Sequence, residues 1–300
     1  MKKPLLSVVI PVGPHRTLDV LESLKQQTQK VEIIIEQGPN PSQNRNRGVA
    51  KAHADIIAFV DSHSILPPQW ARTLLSFFRT HPSIDIVGGP QLTPPDQGVF
   101  ATLSGYALSS PFGAASMSAR YSPLSFTLHA DERSLTSANL ACRKHVFSTT
   151  LFDESLYPGE DPKFITDAKK AQYSIAYFPD LFIYHKRRST LFAFARQIFN
   201  YGFVRPFTQP FFQIIKQPLF LIPSLFVLYI ILLIPLTYLY FLFITPFFLY
   251  IALTLVFSFY LGMKHNDILA FFMLPFIFFS IHFSYGIGFI LGTVTRFTRP

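Results

Sequence analysis

The chain of 300 residues carries 26 Lys and Arg against 17 Asp and Glu, a formal net charge of +9. So basic a chain can bind nucleic acid or an anionic membrane surface. Beyond Lys216, however, only Lys264, Asp267, Arg296 and Arg299 are charged, and this apolar tail points to the membrane and away from nucleic acid. Cys142 is the only cysteine, which excludes an intramolecular disulfide and a zinc site built on several cysteines, and fits a reducing compartment.

Lys2 and Lys3 precede an apolar run that superficially resembles a signal peptide. The run is short, ends in Gly13-Pro14-His15-Arg16 and offers no small-residue cleavage site, so residues 6–12 read as a buried first strand. The domain is then expected to be made in the cytosol and to stay there. Residues 32–36, 56–61 and 84–88 also read as strands, rich in Val and Ile and bounded by turn residues. Residues 17–27 and 43–53 carry helical periodicity. This alternation predicts an α/β domain over residues 1–188, with a mainly parallel sheet and helices on both faces. Ligands bind beyond the carboxyl ends of such strands. Here those ends are Pro11, Glu36-Gln37 and Asp61-Ser62-His63.

Residues 189–217 interleave Phe192, Phe194, Phe199, Tyr201 and Phe203 with Arg196 and Arg205. The expectation is an amphipathic interfacial segment; the alternative is a soluble helix packing its Phe residues on the N-terminal domain. Residues 218–300 predict a transmembrane anchor of about three helices. The segments 218–240, 241–263 and 268–292 each supply the roughly 20 apolar residues that a bilayer span needs. With the N-terminal domain inside, three spans put Arg296 and Arg299 outside, against the positive-inside tendency, so either the tail is an exception or one segment is re-entrant. Besides tyrosine, the only ionisable residue within the spans is His282, which argues against a transporter or channel.

Asp61 and His63 stand two residues apart directly after an apolar strand. From there both can reach one divalent cation, which could hold a diphosphate. The plain alternative is that Asp61 caps the next segment and His63 is a surface residue. Context comes from Asn44-Arg45-Asn46-Arg47-Gly48, followed by Ala50, Ala52, Asp55, Ile56, Phe59 and Asp61-Ser62-His63. This stretch resembles glycosyltransferase family 2, in which an Arg-Asn-x-Gly helix runs into the metal-binding D-x-D motif. The opening strand Ser7-Val8-Val9-Ile10-Pro11-Val12 is similar to that family too. So is the block Leu151-Phe152-Asp153-Glu154-Ser155-Leu156 with Gly159-Glu160-Asp161, where the family carries its catalytic base. Val87-Gly88-Gly89-Pro90, Ser110-Pro111-Phe112-Gly113, Arg187-Arg188-Ser189-Thr190-Leu191, Arg196-Gln197 and Tyr201-Gly202 resemble the succinoglycan-biosynthesis type of membrane glycosyltransferases, which tend to carry D-x-H.

The resemblance implies a GT-A fold and a divalent metal, Mn2+ or Mg2+, held by Asp61 and His63 with His185 completing the shell. It implies Asp161 as general base, with Glu160 orienting the acceptor or sharing the site. Nucleotide-sugar contacts fall to Pro11, Glu36, Gln37, Arg45 and Asp61. His185 can equally be a surface residue, Arg45 can simply pair with an acid, and Lys186-Arg187-Arg188 can bind diphosphate or lipid headgroups. Asn139 reads either as an acceptor-side residue or as a helix cap. There are departures: the usual strand-end Asp-Asp is Glu36-Gln37, and Gly13-Pro14 replace the Asn or Tyr that often follows the first strand. The Gln-x-x-Arg-Trp motif of processive synthases is absent, which implies addition of a single sugar.

The expected activity is inverting transfer from a nucleoside-diphosphate sugar to a lipid-linked or envelope glycan acceptor, at the cytosolic face of the inner or plasma membrane. The alternatives are a polyprenyl-phosphate sugar synthase and a non-catalytic membrane protein with a degenerate transferase domain.

Overall fold

The computed structural model describes residues 3–14, 16–208 and 211–298. The chain divides into two compact units, Met1–Pro95 with Ser116–Lys186, and Asp96–Ala115 with Arg187–Pro300.

The first unit is built on β1 (Ser7–Val12), β2 (Glu32–Gln37), β3 (Ile56–Val60), β4 (Ser64–Ile65), β5 (Ile86–Gly88), β6 (Gln91–Leu92), β7 (Asn139–Arg143), β8 (Ile175–Tyr177) and β9 (Ile183–His185). The main sheet has the order β2-β1-β3-β7-β5-β8. Only β7 runs against the others, pairing antiparallel with both β3 and β5. A second sheet, β4-β9-β6, is smaller. β1 is buried at every position because helices cover both faces. Its Val8, Ile10 and Val12 face a cluster with Val20, Leu24, Trp70 and Leu74. Its Val9 faces Ile57, Phe59, Phe164 and Ile165. This is the predicted α/β architecture, and the run of apolar residues in β1 follows from two-sided burial.

The helices of this unit are α1 (Val20–Lys25), α2 (Pro41–Lys51), α3 (Trp70–Thr80) and, further on, the one beginning at Glu160. The α2 start is fixed by Asn40, whose side chain accepts from the backbone N–H of Ser42 (2.9 Å) and Gln43 (3.2 Å), with Pro41 in the first turn. A Cβ at Gly48 would lie 2.3 Å from Val9 Cγ1, so only glycine lets α2 lie this close on β1.

The second unit holds α4 (Val99–Leu108), α5 (Pro111–Ala114), α7 (Leu191–Val204), α8 (Phe211–Ile215), α9 (Pro218–Leu239), α10 (Thr245–His265) and α11 (Ile268–Thr298); α6 (Glu160–Lys170) belongs to the first. Among the described residues, three helical stretches are long and apolar enough to cross a membrane: Pro218–Leu239, Phe241–His265 and Ile268–Thr298. The last extends beyond the expected 268–292. Arg299, which entered the charge argument, lies outside the described residues, as do Lys2 and His15.

The expected interfacial segment is several elements, not one helix: α7 gives way to a 3-10 turn at Arg205–Phe207 before α8. The α7 face formed by Phe194, Ile198 and Gly202 is buried, whereas Phe192 is exposed. A Cβ at Gly202 would come within 2.2 Å of the Tyr285 carbonyl oxygen, and one at Gly292 within 2.0 Å of the Phe203 carbonyl oxygen. Small residues on both helices therefore bring the α7 and α11 backbones together.

Candidate active site

β2, β1 and β3 are parallel neighbours, so their carboxyl ends share one edge of the sheet. Glu36-Gln37, Pro11 and Asp61 all lie along it. Asp61 follows the last residue of β3, and the chain then turns into β4, which pairs with β9 so that Ser64 faces His185. This crossover brings two histidines far apart in sequence side by side. The His63 and His185 rings meet edge to face with centroids 4.4 Å apart, and His185 Nε2 lies 3.2 Å from Asp61 Oδ2. One ligand atom from each of Asp61, His63 and His185 falls within 4.8 Å of the others. One carboxylate and two imidazoles make a donor set that suits a first-row divalent cation.

A buried charge network backs this cluster. Arg45, on α2, places Nη1 2.9 Å from Glu160 Oε1 and Nη2 3.7 Å from Asp61 Oδ1. Its guanidinium lies 5.3 Å from the Phe152 ring centroid. Glu160 Oε2 also accepts from the Gly159 N–H at 3.0 Å. Gly159 adopts φ 117°, a left-handed conformation that glycine takes without strain, and this bend delivers Glu160 and Asp161 into the first turn of α6. There the helix N-terminus favours negative charge. Asp161 Oδ1 is buried and has no hydrogen-bond partner among the described residues.

The electrostatics follow from this crowding. Burial alone would raise the Asp61 carboxyl; the His185 hydrogen bond and the charges of His63, His185 and Arg45 outweigh it and hold Asp61 well below the carboxylate range. Glu160 goes the other way, pushed up to about 7 by burial and by the Asp161 carboxylate, with Arg45 only partly offsetting them. Burial alone would lower Arg45; the carboxylates of Asp161, Glu160 and Asp61 hold its guanidinium charged.

Other expected residues are committed elsewhere. The buried carboxylate of Glu36 is bound by Lys51 Nζ at 2.5 Å and Arg47 Nε at 3.2 Å. The Gln37 carbonyl accepts from Arg47 Nη2 at 2.9 Å, and Pro11 is buried opposite Glu36. Asn139 does not cap a helix. It opens β7, fully buried, accepting from Trp70 Nε1 (3.1 Å) and donating to the Leu181 carbonyl (2.5 Å). Arg143 donates to the carbonyls of Ile84 (2.9 Å) and Phe78 (3.0 Å), a structural clamp.

Sequence reasoning missed one contact beside the cluster. Lys186, next to His185, binds Asp19 at 2.6 Å and lowers that carboxyl. The Val20 N–H, at the start of α1, donates to the Ser62 carbonyl at 3.0 Å. Together these pin the Asp61-Ser62-His63 turn. No local pattern could have announced a pair 167 residues apart.

Residues 13–154 match the model of glycosyl transferase family 2. This stretch is thus similar to a glycosyl transferase family 2 domain. The sheet around it is accordingly GT-A-like: α/β, mainly parallel, and followed in the chain by helices able to span a membrane. Similar solved structures include Staphylococcus aureus TarS residues 1–349, 17% identical with a TM-score of 0.44 over 65% of this chain and 65% of that one. The same TarS fragment in complex with UDP-GlcNAc is 16% identical, TM-score 0.44, over 66% of this chain and 65% of that one. A mycobacterial protein is 16% identical, TM-score 0.45, over 68% and 74% respectively. The chain thus spans about two thirds of the TarS 1–349 length, and 40% of the longer TarS structure. No curated protein matches it significantly.

Proposed function

We propose that the chain is an inverting glycosyltransferase of the succinoglycan-biosynthesis type, anchored at the inner or plasma membrane with its family 2 domain in the cytosol. It moves one sugar from a nucleoside-diphosphate sugar to a lipid-linked or envelope glycan acceptor. The observation that supports this most is the convergence of Asp61, His63 and His185 at the carboxyl edge of the sheet, with Arg45 joining that cluster to the acidic first turn of α6.

Asp61, His63 and His185 would hold Mn2+ or Mg2+. When bound, such a cation supplies neutralising charge to a departing diphosphate. Arg45, locked between Asp61 and Glu160, fixes the orientation of the Asp61 carboxylate. Asp161 takes the proton of the acceptor hydroxyl as that oxygen attacks the anomeric carbon, while the bond to the diphosphate breaks and its electrons leave with the diphosphate. The unpartnered Oδ1 of Asp161 is the atom suited to this. Glu160, buried against Arg45, positions the network.

A panel of nucleotide-sugars assayed for hydrolysis and thermal shift, with and without Mn2+, tests the reading. Turnover of at least one donor that depends on both the metal and His63 supports it. A non-catalytic protein would bind none of them in a metal-dependent way. A polyprenyl-phosphate sugar synthase, whose acceptor is already ionised, would keep its activity in Asp161→Asn.

A further inference from the structure

Between Asp96 and Arg120 the chain carries no ionisable residue except Tyr106. This stretch leaves the first unit after β6 and re-enters it before β7, and its α4 and α5 cluster with the long apolar helices.

The contacts give it a depth. The Tyr106 ring stacks on His265 at 3.8 Å, level with the polar turn Lys264-His265-Asn266-Asp267 that joins α10 to α11. Phe112, six residues on, lies far along both helices. Its ring stacks on Phe257 of α10 at 4.8 Å and meets Phe278 of α11 edge to face at 4.9 Å. Its carbonyl is bonded by His282 Nε2 at 2.8 Å, and His282 Nδ1 faces the Tyr250 hydroxyl at 3.0 Å. A carbonyl can only accept, so Nε2 carries the proton and Nδ1 accepts from tyrosine; both ring nitrogens of this imidazole are satisfied. At 1.5 Å per residue, Phe278 and His282 stand about 15–21 Å past the start of α11. That is the middle of an apolar slab about 30 Å thick.

The polar groups of the segment suit the same surroundings. Ser104 Oγ donates to the Ala101 carbonyl (2.8 Å), Ser109 Oγ to the Tyr106 carbonyl (2.9 Å) and Ser110 Oγ to the Ala107 carbonyl (2.8 Å), so these hydroxyls need no water. A tight turn reverses the chain. A Cβ at Gly113 would fall 2.1 Å from the Ala107 carbonyl oxygen and 3.2 Å from the Phe278 ring.

We infer that the chain from Tyr106 through α5 forms a re-entrant hairpin, a fourth membrane-inserted element in which Phe112 reaches the acyl-chain layer and is fastened there by His282. The inference rests on reading α10 and α11 as spans.

The test is a nitroxide placed by Pro111→Cys or Ala114→Cys in the full-length protein, reconstituted in phosphatidylcholine–phosphatidylglycerol vesicles. Cys142 is buried and stays in place. Val256→Cys, on the exposed face of α10, and Lys170→Cys, exposed on α6, are the lipid and water references. Positions 111 and 114 are expected to show a ratio of oxygen to nickel-chelate collisions several-fold above position 170 and close to position 256. A water-like ratio at 111 and 114 with a lipid-like one at 256 overturns the hairpin alone. Water-like ratios at all of them overturn the spans, and the hairpin with them. Should the variants fail to fold, the wild-type chain with a phospholipid carrying a mid-chain diazirine gives the same answer: label within residues 97–119 supports the hairpin, and label confined to α9, α10 and α11 overturns it.

Discussion

The two units differ in how they bury most of their polar groups. In the first, buried charges are paired with other charges, and the partners come from distant parts of the chain: Arg45 meets Glu160, 115 residues away, and Asp61 meets His185, 124 residues away. In the second, serine and threonine hydroxyls return to backbone carbonyls of their own helices, as Ser258 does to Thr254 at 2.6 Å. The difference matches what water and hydrocarbon each permit. A sheet edge open to water can keep a carboxylate charged if cations stand around it, whereas a helix in hydrocarbon must close its hydrogen bonds internally.

The contrast can be broken or sharpened by substitution. The largest effect is expected at Asp161, whose Oδ1 has no hydrogen-bond partner among the described residues. Asp161→Asn should cut transfer to a hydroxyl acceptor by roughly 10²–10⁴-fold, the usual worth of a general base, while leaving metal-dependent donor binding intact. Equal loss of donor binding, measured by calorimetry, would show that Asp161 holds the site together instead.

Next comes Arg45→Leu, which leaves the buried Glu160 without its cation. Breaking such a pair costs roughly 3–5 kcal/mol. A denaturation midpoint close to that of the parent chain would mean that water reaches the network.

In the second unit the equivalent weak point is a place where backbones meet. Gly202→Leu drives a side chain into the Tyr285 carbonyl and should destabilise by roughly 1–3 kcal/mol, read as a lower melting temperature in detergent. Unchanged melting would mean that the α7–α11 seam opens freely.

The smallest effect concerns pH. Because the Glu160 carboxyl sits at about 7 when folded against an ordinary 4.5, the folded state holds more protons than the unfolded one between those values. Stability in the presence of a chelator should therefore fall as pH rises from about 5 to 7 and then level off. Asp61, shifted downward, is ionised in both states over that window and adds no slope. Glu160→Gln should flatten the fall; an identical slope in the variant would assign it to another group.

What could be read from sequence was what is local. The strand ending at Val60 and the acid and histidine after it are contiguous, so their place at the sheet edge follows from periodicity alone. Reading Glu160-Asp161 as an acidic pair needed family context, and nothing local could split their roles. What distinguishes their surroundings is Arg45, from a helix more than a hundred residues earlier, which binds Glu160. Glu36 illustrates the converse. Its strand-end position suggested a ligand contact, but Arg47 and Lys51, spaced one turn apart on α2, both reach its carboxylate. The segment 97–119, notable in sequence only for Ser110-Pro111-Phe112-Gly113, does not group there with the apolar tail because its helices are far too short for a span and Ser109-Ser110-Pro111 interrupts them; tertiary contact with α10 and α11 reveals its company.

Trp70 is the only tryptophan, fully enclosed in the first unit with its indole N–H on Asn139. Its emission therefore reports on one half of the molecule and is silent about the other. Fluorescence should follow the loosening of the sheet unit alone, while helical circular dichroism, recorded on the same sample, follows the helices of both units, so a helical loss without a fluorescence change marks the apolar helices.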